Sequence, residues 1–143
     1  MRLLPALLSL SLVAASGPSH AQPAPSAPGD ERIIIFFAWD RPIVDGDAAA
    51  RLDALVATLE RSPGVRLELA GHADRSGPSG PNMRSGQNRA EAVHAYLAAR
   101  GIAETAMNVI SYGETRPLIP TADGVREPQN RRVEITVTRA PGS

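Results

Sequence analysis

The chain has 143 residues, with 15 arginines balancing 15 acidic residues and neither lysine nor cysteine. That length supports one hydrophobic core. The missing lysine removes P-loop and Schiff-base chemistry, and the missing cysteine removes disulfides, thiolate catalysis, zinc–thiolate sites and the acylated cysteine of a lipoprotein. The arginines are scattered among acids and form no basic stripe, so nucleic acid is not expected as a partner.

Arg2 precedes an apolar run from Leu3 to Ala15 that is too short to span a bilayer but suits the core of a signal peptide, with Ser19 and Ala21 placed for cleavage before Gln22. Residues 1–21 are therefore expected to direct export, leaving no transmembrane segment and no lipid anchor in the mature chain. Residues 22–31 are rich in proline and small residues and read as a linker; residues 32–140 form the domain. Ile33 to Phe37 are continuously apolar and β-rich, as in a strand buried on both faces.

Leu52, Leu55, Val56 and Leu59 recur at helical spacing after Asp47, a candidate cap, and Pro63-Gly64 supplies the stop. Val65, Leu67 and Leu69 alternate with Arg66 and Glu68, predicting a half-buried strand that ends near Gly71-His72. A glycine- and proline-rich loop follows, and a second helix is predicted from about Gly86 to Arg100, with Gly101 as its left-handed stop. Asn108–Tyr112 and Val133–Val137 read as two more strands, separated by a turn-rich stretch with Pro117, Pro120 and Asp123-Gly124. The order β-α-β-α-β-β predicts an α/β two-layer sandwich, a mixed sheet with both helices on one face. With five aromatic residues in all, a platform of several rings for stacking sugars is not available.

The most informative segments are Gly71-His72-Ala73-Asp74-Arg75-Ser76-Gly77, then Asn82 and Arg89-Ala90, and finally Asn130-Arg131-Arg132-Val133-Glu134-Ile135. Together with Gly101-Ile102 and Gly113-Glu114 before Pro117, they resemble the OmpA-like C-terminal domain family over about residues 34–138. Ala73 stands where the family has threonine, Pro81 replaces an aromatic residue, Ser85-Gly86 replaces Leu-Ser, and Ala38 replaces a frequent acid. The resemblance implies non-covalent binding of Gram-negative peptidoglycan in the periplasm, through the meso-diaminopimelate of the peptide stem. Asp74 would take its ammonium and Arg89 its carboxylate, with Asn82, Asp40 and Arg131 in support. An arginine fork can donate two parallel hydrogen bonds to a carboxylate, and an Arg89 in the first helical turn would also share the positive potential of the helix start.

The ordinary role of an isolated Asp and Arg in such positions is a surface ion pair or a helix cap, and it is the three ordered motifs together that argue for a site. His72, Asp74 and Ser76 invite comparison with a hydrolytic triad, but no Gly-x-Ser-x-Gly elbow is present, and no catalytic residues are expected. His72 and His94 have no metal-ligand spacing, so neither metal nor cofactor is expected. The alternative reading is an envelope scaffold that binds other envelope proteins through the same fold, its wall pocket degenerate at Pro81 and Gly86.

Overall fold

The computed structural model describes residues 30–139. The expected signal peptide, residues 22–29 of the expected linker and the last residue of the expected domain lie outside the described residues. The chain forms β1 (Glu31–Phe36), α1 (Gly46–Leu59), β2 (Val65–His72), α2 (Ser79–Ala98), β3 (Met107–Gly113) and β4 (Arg132–Arg139), with short 3₁₀ turns at Glu104–Ala106 and Pro128–Asn130. This is the expected element order.

The strands lie in the order β1-β4-β2-β3, with β4 antiparallel to both β1 and β2 and with β2 parallel to β3. The last strand is therefore inserted between the first two. Alternation sorts the side chains: Ile35, Leu67, Leu69, Val133, Ile135 and Val137 join Leu52, Leu55, Val56, Ala90, Val93 and Leu97 of the helices in one core. The opposite face carries Arg32, Ile34, Glu68, Ala70, His72, Arg132, Glu134 and Thr136. Both helices thus cover one face, a two-layer α/β sandwich.

Three sequence expectations are corrected. Among the described residues β1 is an edge strand rather than one buried on both faces, since only β4 pairs with it; Ile35 is fully buried, whereas Phe36 on the other face is 43% exposed. Asp45, not Asp47, caps α1, with its Oδ1 accepting from the Ala48 amide at 2.9 Å; Asp47 sits within the first turn. Replacing Asp45 by alanine is expected to cost about 1 kcal/mol in a urea melt, with Asp47→Ala costing less. The third correction concerns α2, which begins at Ser79 and not near Gly86, with Pro78 as its cap residue.

The early start of α2 follows from what a helix leaves unbonded. The first amides of a helix have no intrahelical acceptor, so Pro81, lacking an N–H, loses nothing in the first turn. The first bond of the helix runs from the Asn82 amide to the Pro78 carbonyl at 3.0 Å. Gly86 is therefore a mid-helix residue. A Cβ at Gly71 would stand 1.8 Å from the Gly86 carbonyl oxygen, and one at Gly86 would stand 2.9 Å from the Gly71 oxygen, so α2 crosses β2 backbone against backbone.

Candidate functional site

The site gathers where β2 ends. A bulge at Gly71/His72 shifts the pairing with β3, and the Ala73 amide then donates to the Gly113 carbonyl at 2.8 Å, leading the chain to Asp74. Asp74 is only 3% exposed, and both carboxylate oxygens are used. Oδ1 accepts from the Ser76 hydroxyl at 2.5 Å and the Ser76 amide at 3.2 Å; Oδ2 accepts from the Glu127 amide at 3.2 Å and Arg131 Nη1 at 3.0 Å. Burial works against ionisation, but the hydrogen bonds from Ser76, Arg131 and Glu127 outweigh it and hold the carboxyl below its usual range.

Arg89 arrives from α2. The close crossing at Gly71 and Gly86 sets its distance, because Arg89 lies one turn beyond Gly86 and its Nη1 donates to the carbonyl of His72 at 2.9 Å. That is its only hydrogen bond among the described residues, and the side chain is otherwise buried at 5% exposure. Its pKa is lowered by burial and by the charge of Arg131, with Asp74 opposing. Arg89 lies about three turns into α2, so the positive potential expected from the helix start is not what acts on it. Arg131 supplies the second positive charge instead.

Arg131 donates Nε to the Phe37 carbonyl at 3.3 Å and Nη1 to Asp74, tying the end of β1 to the site. Arg131 thus bonds the buried carboxylate directly and the Arg89 guanidinium feels it through space; with Asp40 on the same cavity, two positive and two negative charges meet here. Asp74, Arg89, Asn82 and Asp40 line one small cavity of about 140 Å³ together with Trp39, Ser76 and Ser85, while Arg131 reaches Asp74 without lining it. Four of the five residues singled out from sequence share this cavity, and the fifth bonds to its buried carboxylate.

Asn82 and Asp40 differ in kind. Asn82 donates Nδ2 to the Gly77 carbonyl at 2.8 Å and to Glu114 Oε2 at 3.2 Å, so it positions the loop after β2. Asp40 is exposed, has φ of +57°, and borders both this cavity and an adjoining one of about 70 Å³ with Arg41, Ser85 and Arg89. Trp39 stands on the rim, 47% exposed, with Nε1 3.4 Å from Ser76 Oγ and the Arg126 guanidinium 3.9 Å over its ring.

Sequence reasoning missed Ser76 as the hydroxyl partner of Asp74, although the residue lies inside the quoted motif. It also missed the Glu127 amide, which no side-chain pattern could reveal. Asn130 is fully buried and clamps Ile119 through both its amide atoms at 2.8 Å, fixing the loop that carries Glu127. His72 does not join Asp74 and Ser76: its ring lies on the open face of the sheet beside Tyr112 and Glu134. Neither Pro81 nor Gly86 lines the cavity, and each has a role in α2 instead.

A family model described as the OmpA family matches residues 36–131, about two thirds of the chain. The chain belongs to the OmpA family. An outer membrane protein of Gluconacetobacter diazotrophicus is 39% identical over 112 residues, covering 71% of this chain and 29% of that protein. The peptidoglycan-associated lipoprotein of Pasteurella multocida is 33% identical over 101 residues, covering 71% of this chain and 67% of that protein. This OmpA-family chain thus spans under a third of the first relative and about two thirds of the second. The crystal structure of the peptidoglycan-associated lipoprotein from Burkholderia pseudomallei superposes with a TM-score of 0.68 at 28% identity, covering 73% of this chain and 89% of that one. No helix among the described residues is long and apolar enough to cross a membrane.

Proposed function

We propose that this OmpA-family domain binds peptidoglycan without catalysis, by receiving the zwitterionic end of meso-diaminopimelate from a peptide stem in the Asp74–Arg89 cavity. The observation that carries the reading is the buried Arg89, which keeps one hydrogen bond to a backbone carbonyl while Arg131 occupies Asp74. A guanidinium so desolvated, on the wall of a small polar cavity, favours a carboxylate. The ammonium falls to the acidic side of the same cavity, where Asp40 is the carboxylate in solvent and Asp74 the one fixed behind it. The names of the relatives, peptidoglycan-associated and outer membrane proteins, agree with this chemistry. Export through residues 1–21, a linker at 22–31 and a periplasmic, wall-associated position belong to the same proposal.

The test is co-sedimentation of the purified protein with isolated Gram-negative sacculi. A charged hydrogen bond contributes about 1.5–3 kcal/mol, so Arg89→Gln is expected to weaken binding by about tenfold or more. Free meso-diaminopimelate should displace the wild type, and lysine should not. Undiminished binding by a folded Arg89→Gln protein would overturn the assignment. Absence of any affinity for sacculi, alongside saturable binding to an envelope protein, would favour the scaffold reading.

A further inference from the structure

The open face of the sheet carries a groove of about 330 Å³ that shares no lining residue with the Asp74–Arg89 cavity. Its floor comes from three strands: Arg32 and Ile34 of β1, Arg132, Glu134 and Thr136 of β4, and Glu68, Ala70 and His72 of β2. One wall is the segment Arg116-Pro117-Leu118, with Tyr112 at its foot. His72 lies four positions beyond Glu68 on β2, so the groove runs about 13 Å along the strands.

Two features of this groove are left unexplained by the fold. His72 is 2% exposed, yet neither ring nitrogen makes a well-formed hydrogen bond: the Arg116 backbone only approaches the ring, and Glu134 Oε2 stands 3.9 Å from Nε2. Buried polar groups are normally paired, and an unpaired one costs about 1–3 kcal/mol. Arg116, exposed at the same end, has no acidic partner among the described residues and rests 3.8 Å over the Tyr112 ring. Arg132, by contrast, is fully committed, donating to Glu134 Oε1 at 3.0 Å and to the carbonyls of Arg116 and Asn130.

We propose that this groove is a second binding site, for a small aliphatic carboxylate whose anionic end meets Arg116 and the His72 ring while its apolar body lies along Ile34, Ala70, Pro117 and Leu118. Charge selects the anion. With Arg132 and Glu134 paired to each other, Arg116 is the uncompensated charge at the His72 end, while Arg32 and Glu68 sit at the far end, each in register with Thr136. Burial, then Arg132 and Arg116, against Glu134 and the Arg116 backbone, lower the His72 pKa to about 4, so at neutral pH the ring is uncharged and carries one N–H that a carboxylate can draw from the Arg116 backbone. The apolar residues along the groove select a body over a bare ion.

The test follows the His72 imidazole by NMR in the wild-type protein while hexanoate, hexylamine or inorganic phosphate is added. Hexanoate should shift the His72 signals saturably below about 10 mM and raise the midpoint of its titration by about one pH unit or more. Hexylamine and phosphate should do neither. Arg116→Gln, a change at an exposed side chain, should weaken the hexanoate response about fivefold or more, whereas Arg51→Gln, an exposed change on α1 outside the groove, should leave it unchanged. The proposal is overturned by the absence of a saturable shift, by phosphate or hexylamine matching hexanoate, or by an Arg116→Gln protein that responds like the wild type.

Discussion

Replacing Gly71 by alanine is expected to destabilise the domain by about 3 kcal/mol or more, lowering Tm by on the order of 10 °C. The new methyl would stand 1.8 Å from the Gly86 carbonyl oxygen and 2.5 Å from its carbon. Those atoms belong to the backbone of α2, so no side chain can rotate aside, and relief requires moving the helix off the sheet. Gly80, in the same helix, has nothing within 4 Å of its would-be Cβ, so Gly80→Ala should be neutral or stabilising by up to about 1 kcal/mol. Thermal melts of the two variants separate close packing from a general cost of adding a methyl. Equal melting temperatures would show that the crossing has slack. Because Arg89 is held at 2.9 Å from the His72 carbonyl across this same crossing, Gly71→Ala should also weaken sacculus binding in whatever fraction stays folded.

The second large effect is a loss of stability in mild acid. His72 has a folded pKa of about 4 against 6.5 for the free side chain, through burial first and then Arg132, with Glu134 opposing. Between those values the unfolded chain binds the proton and the folded one does not, so stability is complete above pH 6.5 and falls away as pH drops toward 4. At about 1.4 kcal/mol per pH unit, the gap amounts to about 3 kcal/mol. Urea unfolding at pH 7, 5.5 and 4 should trace that fall, and His72→Leu should remove most of it over this range. Asp74 acts in a lower window, since its depressed pKa makes its stabilisation disappear only as pH falls through and below the ordinary carboxylate value of 3.8. A wild-type curve that stays flat from pH 6.5 to 4 would show that the ring takes up its proton without strain.

The parts of this structure that were legible in the sequence are those set by local rules. Alternation in Val65–Leu69 and helical spacing in Leu52–Leu59 located β2 and α1, because one face of each is buried and the other is not. The motif residues Asp74, Asn82, Arg89 and Asp40 share one cavity, as their spacing within a single family pattern suggested. What escaped was set by partners distant in the chain. Ile33 to Phe37 look doubly buried, yet sheet order makes β1 an edge, and composition carries no sheet order. The Gly-Pro-Ser-Gly-Pro stretch at 77–81 reads as loop, although a proline in the first turn of a helix forfeits no hydrogen bond. The actual counter-ion of Asp74 is Arg131, fifty-seven positions away, and only the placement of β4 brings it there. Pro81 and Gly86, which looked like damage to the pocket, turn out to be how α2 starts early and approaches β2 closely.

The insertion of β4 between β1 and β2 has a bearing on when this domain can fold. β1 has no neighbour until residues 132–139 are present, and β2 pairs early only with β3, so the assembly step joins segments about a hundred residues apart. Such high contact order makes the step slow and leaves a partly synthesised chain without a closed core. A polypeptide emerging from its amino end would leave this domain unclosed until residues 132–139 had appeared, the condition in which a chain can be threaded through a narrow channel.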